Sequence, residues 1–167
     1  MTLEIALDAD EDWDSSRSWE RLARSAAQAA IAESAFPELA EDRPVEISVT
    51  LTGDEKVREL NAHWRGKDKP TNVLSFPMAE PYELQAETFI AREMLLGDII
   101  LAHGVCASEA RDKGISLENH AVHLMVHGTL HLLGHDHHND DEAADMEARE
   151  IRALERLGIA NPYEVTA

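Results

Sequence analysis

Hydrophobic and polar positions alternate most cleanly from Val45 to Thr52, with Val45, Ile47, Val49 and Leu51 on one face. A period of two over eight residues predicts a half-buried strand. Leu3 to Leu7 alternates more weakly and reads as an edge strand, and the apolar run Gly97 to Ala102 as a central one. The segment Trp64 to Pro77 starts as a loop, with Gly66 and Lys69-Pro70-Thr71, and becomes extended at Asn72 to Phe76. Helical spacing runs from about Trp19 to Ser34, with candidate caps at Asp14-Ser15-Ser16 and a stop before Phe36-Pro37. A short helix capped by Asp54 reaches about His63, turning Val57 and Leu60 inward. Three more helices follow: Gly104 to Lys113 closed by Gly114, Ser116 to Leu133 capped by Ser116 and closed by Gly134, and Asp141 to Leu157 closed by Gly158. Residues 78 to 96 are acidic and irregular and read as a surface excursion. The order β-α-β-α-β-β-α-α-α, with strands early and helices late, predicts an α+β fold: a small mixed sheet packed with about five helices.

Composition bounds the rest. A chain of 167 residues without repeat or low-complexity linker reads as a single domain, 1–167. At 44% apolar and 29% charged it is globular rather than disordered. One cysteine, Cys106, excludes an internal disulfide and fits a reducing cytosol, so a cytoplasmic location is expected. The acidic start lacks the basic region and apolar run of a secretory signal, and no stretch approaches the roughly 20 apolar residues of a membrane span. The net charge of −18 argues against nucleic acid, whose binding is driven by cations. The histidines pull the other way: there are nine, and seven lie between His120 and His138.

The informative stretch is His127-Gly-Thr-Leu-His131-Leu-Leu-Gly134-His-Asp-His137. His127 and His131 stand four apart on a predicted helix, so their imidazoles share a face and can share a cation. Gly134 permits a left-handed residue, and the chain can turn back to bring in His137. Three protein ligands with one open position is the catalytic pattern for zinc. The register has rivals. His123 and His127 are also four apart, and His135 or His138 could replace His137. Only the 127/131 pair is followed by a turn that delivers a third ligand, and alternation around Asp136 favours His137. His120 and His123 read as helix-face or supporting groups, and Asp136 as an orienting partner of a ligand or a solvated acid.

The zinc-protease motif H-E-x-x-H-x-x-G-x-x-H matches at all three histidines and at the glycine. It fails at Gly128, where the protease carries the glutamate that activates water. The acids of the next helix (Asp140, Asp141, Glu142, Asp145, Glu147) do not fill that position.

The same eleven residues are similar to the signature of the YbeY family of bacterial endoribonucleases, the rRNA maturation factors. Two further blocks agree, Asn61-Ala-His-Trp-Arg65-Gly-Lys-Asp-Lys-Pro-Thr71-Asn-Val-Leu-Ser-Phe-Pro77 and Leu96-Gly-Asp-Ile-Ile100, in family order over roughly residues 45 to 158. His135 stands where the family often has Tyr, and Asn72 where it often has Asp. The resemblance implies a zinc-dependent enzyme with one ion on His127, His131 and His137, and a functionally important arginine at Arg65. It also implies cleavage of single-stranded RNA, especially at the 3′ end of 16S rRNA, and ribosome quality control, with the ribosome as partner and no DNA or membrane.

Arg65 suits that chemistry, because a guanidinium fork matches the charge on a phosphodiester's non-bridging oxygens. Zinc lowers the pKa of its water to about 7 and polarises a phosphoryl oxygen. Lys67 and Lys69 are weaker candidates for steering phosphate. Trp64 and Phe76 could stack on bases, but core packing is the expected role. Cys106 reads as a small core residue, Asp98 as a strand-start hydrogen-bonding group, and Ser75 as no nucleophile. Two other functions compete: a metallopeptidase-like hydrolase, and a non-catalytic ribosome assembly factor stabilised by zinc.

Charge by segment refines the acidity. Residues 53 to 77 carry five basic and four acidic groups, a net of +1, which leaves −19 on the rest of a −18 chain. With Arg65 beside the histidines, the bulk acidity would repel RNA and confine contact to one small positive mouth.

Overall fold

The alternating segment is a central strand of a four-stranded sheet in the computed structural model, which describes residues 3–42, 44–84 and 93–164. The elements run β1 (Leu3–Ala9), α1 (Trp19–Ala32), α2 (Leu39–Asp42), β2 (Val45–Thr52), α3 (Asp54–Arg65), β3 (Val73–Pro77), α4 (Pro81–Leu84), β4 (Met94–Ala102), α5 (His103–Lys113), α6 (Leu117–Leu132) and α7 (Asp140–Arg156). Sheet order is β1-β2-β4-β3; the first three strands are parallel and β3 runs antiparallel to β4. The α+β fold with a small mixed sheet is as expected. Its five longer helices match the expected number, and the single-turn α2 and α4 are additions.

The two faces of the sheet bury different amounts. Val45, Ile47, Val49 and Leu51 of β2, with Leu96, Ile99 and Leu101 of β4, enter the main core against α1, α6 and α7. On the other face Leu74, Ile100 and Ala102 meet Val57 of α3, with Leu60 and Phe76 at the margin. Alternation along β3 therefore sends Leu74 and Phe76 to the α3 side and Val73 to the α6 side. Cys106 is fully buried, as expected.

Several boundaries differ from the sequence reading. Helix α3 continues through Trp64 and Arg65, so these close a helix rather than open a loop. Its N-cap is Gly53; Asp54 instead accepts a hydrogen bond from the Val105 amide, satisfying a free N–H at the start of α5. Ser18, not the Asp14–Ser16 group, occupies the N-cap of α1, and that helix stops at Ala32. Strand β1 runs on to Ala9, and β4 starts at Met94, which takes Met94 to Leu96 out of the expected surface excursion. The remainder of that excursion includes α4, and residues 85–92 lie outside the described residues. Among the described residues no helix is long and apolar enough to cross a membrane.

Candidate metal centre

Helix α6 carries the site, and its packing explains Gly128. A Cβ built there would lie 3.1 Å from Ile99 Cγ2 and 3.2 Å from Ile99 Cδ1, so glycine lets the helix press onto β4. The position that holds glutamate in zinc proteases is thus filled by the core. At the other end Gly134, at φ +91°, turns the chain; its amide bonds His131 O, and the His135 amide bonds Leu130 O. That paired closure is what a left-handed residue after a helix supplies.

The turn returns His137 to the helix. His127, His131 and His137 each offer a ring nitrogen, and these atoms all lie within 4.8 Å of one another, a set that could hold a metal ion. His127 Nε2 and His131 Nε2 are 3.0 Å apart. The other nitrogen of His127, Nδ1, lies 2.5 Å from Glu150 Oε1 on α7. An ionised carboxylate only accepts, so Nδ1 carries the proton and Nε2 presents its lone pair to the cluster. That tautomer is the one a metal ligand requires, and the donor set fits zinc.

Glu150 is 1% exposed. Its second oxygen accepts from the Tyr163 hydroxyl at 2.5 Å, and His123 Nε2 lies 3.6 Å from Oε1. Burial pushes the carboxyl up, but His123, His127 and Tyr163 more than reverse this and hold it at about 2. The tyrosine is pushed the opposite way, by burial and by the carboxylate, and stays a donor. Helix α7 is fixed by Glu33 at the end of α1, which receives Arg149 on its carbonyl and Arg152 and Arg156 on its carboxylate. Burial and the neighbouring His127 lower His131 to about 4, leaving it neutral at physiological pH.

The remaining histidines of the 120–138 stretch stand outside the three-histidine cluster, although His138 also lines the cavity beside it. His123 Nε2 lies 3.3 Å from the Tyr163 hydroxyl, and His120 pairs with Glu109 at 2.9 Å. His135 accepts from the Ala35 amide. Asp136 pairs with His138 at 2.7 Å and comes no nearer than 4.0 Å to His131 Nδ1.

Arg65 reaches the same place from the opposite face of the sheet. A cavity of about 490 Å³ is lined by the three histidines, Asp136, Arg65 and Asn72. Asn72 O and Met78 N both bond to β4, so alternation points the Ser75 carbonyl to the free edge of β3. Arg65 Nη2 donates to that carbonyl at 2.9 Å, and its guanidinium lies 5.5 Å from the Phe76 ring centre. Lys67 and Lys69 are exposed and lie outside the cavity wall; Asn61 holds their loop through Lys69 O and the Lys67 amide.

Sequence reasoning missed two residues here. Asn72 lines the cavity, held by Glu109. Glu150 orients His127, and its signal was available: Met146, Glu150, Ala153 and Leu154 form one buried stripe on α7, and an acid in an apolar stripe needs a partner.

The sequence matches the family described as Endoribonuclease YbeY over residues 7–158. Proteins of that name from Rhizorhabdus wittichii and Erythrobacter litoralis are 48% and 51% identical to it, each comparison covering 98% of both chains. One from Zymomonas mobilis is 50% identical over 95% of this chain and 92% of its own. The solution structure of a Thermotoga maritima protein shares the fold, with a TM-score of 0.53 and 21% identity over 98% of this chain and 97% of that one. With identities near one half along the whole chain and the matched span covering sheet, α6 and α7 alike, this chain belongs to the Endoribonuclease YbeY family.

Proposed function

We propose that residues 1–167 act as one zinc-dependent endoribonuclease that cuts single-stranded RNA, holding one ion on His127, His131 and His137. Family membership supports the activity. The observation that carries the reading is that Arg65 lines the same cavity as the three histidines although it comes from the other side of the sheet. A bound zinc ion supplies Lewis acidity and a lowered pKa for its water. Arg65 binds and orients the phosphodiester: it makes one hydrogen bond, to Ser75, among the described residues, and a guanidinium has five N–H donors. Glu150 holds the proton on His127 Nδ1 and keeps Nε2 directed at the cation. Lys67 and Lys69 lie on the loop after α3 and steer phosphate towards the mouth. The target is rRNA, at the 16S 3′ end, on ribosomes in the cytoplasm, with no DNA as substrate.

The test is incubation of zinc-loaded protein with single-stranded RNA, duplex RNA and single-stranded DNA. Cleavage confined to single-stranded RNA, and lost in His131→Ala and in Arg65→Ala, is expected. Cleavage that survives both changes comes from a contaminating nuclease and overturns the reading. No cleavage by the wild type, with intact ribosome binding, leaves a non-catalytic assembly factor.

A further inference from the structure

Trp64 is the residue whose placement differs most from its expected role. Instead of packing in the core it is 65% exposed, whereas Trp13 and Trp19 are 2% and 4% exposed. A large aromatic surface left in water at the end of a helix forgoes the burial that normally stabilises it. The ring is held rather than loose. His63 meets it edge-on with centroids 4.6 Å apart, and Phe76 lies 6.4 Å away at 60°.

Its neighbours give the site a direction. Arg65 follows Trp64 directly and shares Phe76 with it, so an indole and a guanidinium flank one phenyl ring. Phe76 belongs to the α3 face of the sheet, whereas Val73, Ser75 and Pro77 on the same strand line the histidine cavity. Trp64 and Arg65 thus meet at Phe76 on the α3 face, and from there Arg65 reaches the Ser75 carbonyl and the histidine cavity. Charge supports the same ligand. Arg65, Lys67 and Lys69 fall within five residues, while Arg149, Arg152 and Arg156 on α7 are engaged with Glu33 and Arg58 with Asp68.

We infer that Trp64 is a stacking platform for an unpaired nucleobase of the RNA strand whose phosphate Arg65 holds. This rests on the proposed endoribonuclease reading and deepens it, because a base can lie flat on the indole only when it is not paired in a helix. A strand bent over the β3 edge places a base on Trp64, a neighbouring phosphate at Arg65 and the next phosphate towards the histidines. Stacking is blind to base identity, since every base has a π-face, so the platform selects for single strands rather than for sequence.

The test uses zinc-loaded protein and a short single-stranded RNA. Because Trp64 is the exposed tryptophan, its fluorescence reports the contact: RNA should quench it within the mixing phase, before cleavage, and protect it from acrylamide. Trp64→Ala should raise KM about 10- to 100-fold, the loss falling on KM rather than kcat, and Trp64→Phe should recover most of it. An abasic nucleotide, scanned along the RNA, should reproduce that loss at one position in the wild type and cost little more in Trp64→Ala, as expected for two partners of one contact. Wild-type KM in a folded Trp64→Ala, or additive losses in the abasic scan, overturns the platform. If Trp64→Ala leaves RNA kinetics intact but weakens binding to ribosomal subunits, the platform is overturned in favour of a protein-docking residue. If the wild type quenches with RNA but does not cleave it, the platform stands and the hydrolytic reading fails. If it neither quenches nor cleaves, both fail.

Discussion

Replacing Glu150 by Gln removes one negative charge from a fully buried position and changes almost no volume. In the native protein both carboxylate oxygens are engaged at 2.5 Å, one with His127 Nδ1 and one with Tyr163 Oη. The carboxyl sits at about 2 against an ordinary 4.5, and at 1.36 kcal/mol per pH unit that preference for the anion is on the order of 3 kcal/mol. The sign follows from linkage. A depressed acid stabilises the fold above pH 4.5 and loses that contribution as the pH falls towards 2, so the comparison belongs near pH 7. A neutral amide can still accept from His127, but it no longer favours the orientation a cation needs. Loss of such a supporting partner costs about 10- to 100-fold in metal affinity. Competition titration of zinc against a chromophoric chelator should therefore show Glu150→Gln weaker by about that factor. Tyr163→Phe, which leaves the His127 bond in place, should be weakened less. A folded Glu150→Gln that binds zinc as tightly as the wild type would falsify the orienting role of Glu150.

Zinc at about 1,000 times its Kd should stabilise the protein by about 4 kcal/mol, a Tm rise of roughly 10 °C, and His131→Ala should abolish the rise in a calorimetric scan. Gly128→Glu completes the protease motif in sequence, yet it drives a carboxylate into Ile99 beneath α6. It should cost more than about 3 kcal/mol in urea denaturation and yield no peptide hydrolysis, and a stable, peptide-cleaving variant would refute the packing argument. Burial pushes His120 below its usual 6.5, with Glu109 opposing and Lys113 and His123 reinforcing, so the unfolded chain takes its proton first. His120 therefore stabilises the fold above pH 6.5 and withdraws that stability as the pH falls. His120→Gln should flatten the slope of unfolding free energy against pH just below 6.5, and an unchanged slope counts against this assignment.

What the sequence made legible was local. The period of two over Val45–Thr52, the Ser116 cap, which accepts from the Asn119 amide, and the turn at Gly134 follow from short-range chemistry, and each falls where it was read. The histidine cluster was legible for the same reason: two members are one helical turn apart and the third lies six residues beyond. What stayed hidden depends on partners distant in the chain. Asp54 looks like a cap for its own helix, but the amide it satisfies belongs to Val105, 51 residues away. Glu150 looks like one more acid on an acidic helix until α7 docks against α6 and brings it to His127, 23 residues earlier in the chain. Trp64 carries a core residue's side chain, and only the end of α3 at the sheet edge leaves it in water.

The centre shares its three histidines and turn glycine with zinc proteases, so the difference in chemistry must come from what surrounds them. Two features separate this chain from a peptidase. Position 128 is packed tightly against Ile99, so a glutamate where those enzymes place their base would have to displace that side chain. The second is the edge strand. A peptide substrate can add to an open edge only through free backbone groups, and on β3 the outward Ser75 carbonyl is already taken by Arg65. On the proposed reading the same arginine suits a phosphodiester, because a guanidinium that gives one N–H to a carbonyl keeps further donors for a phosphate. An overall charge of −18 then acts as a filter rather than an obstacle. On the proposed reading it would discourage polyanions from most of the surface and leave the segment that carries Arg65, Lys67 and Lys69, next to the exposed Trp64, as the place where a flexible single strand is favoured over a rigid duplex.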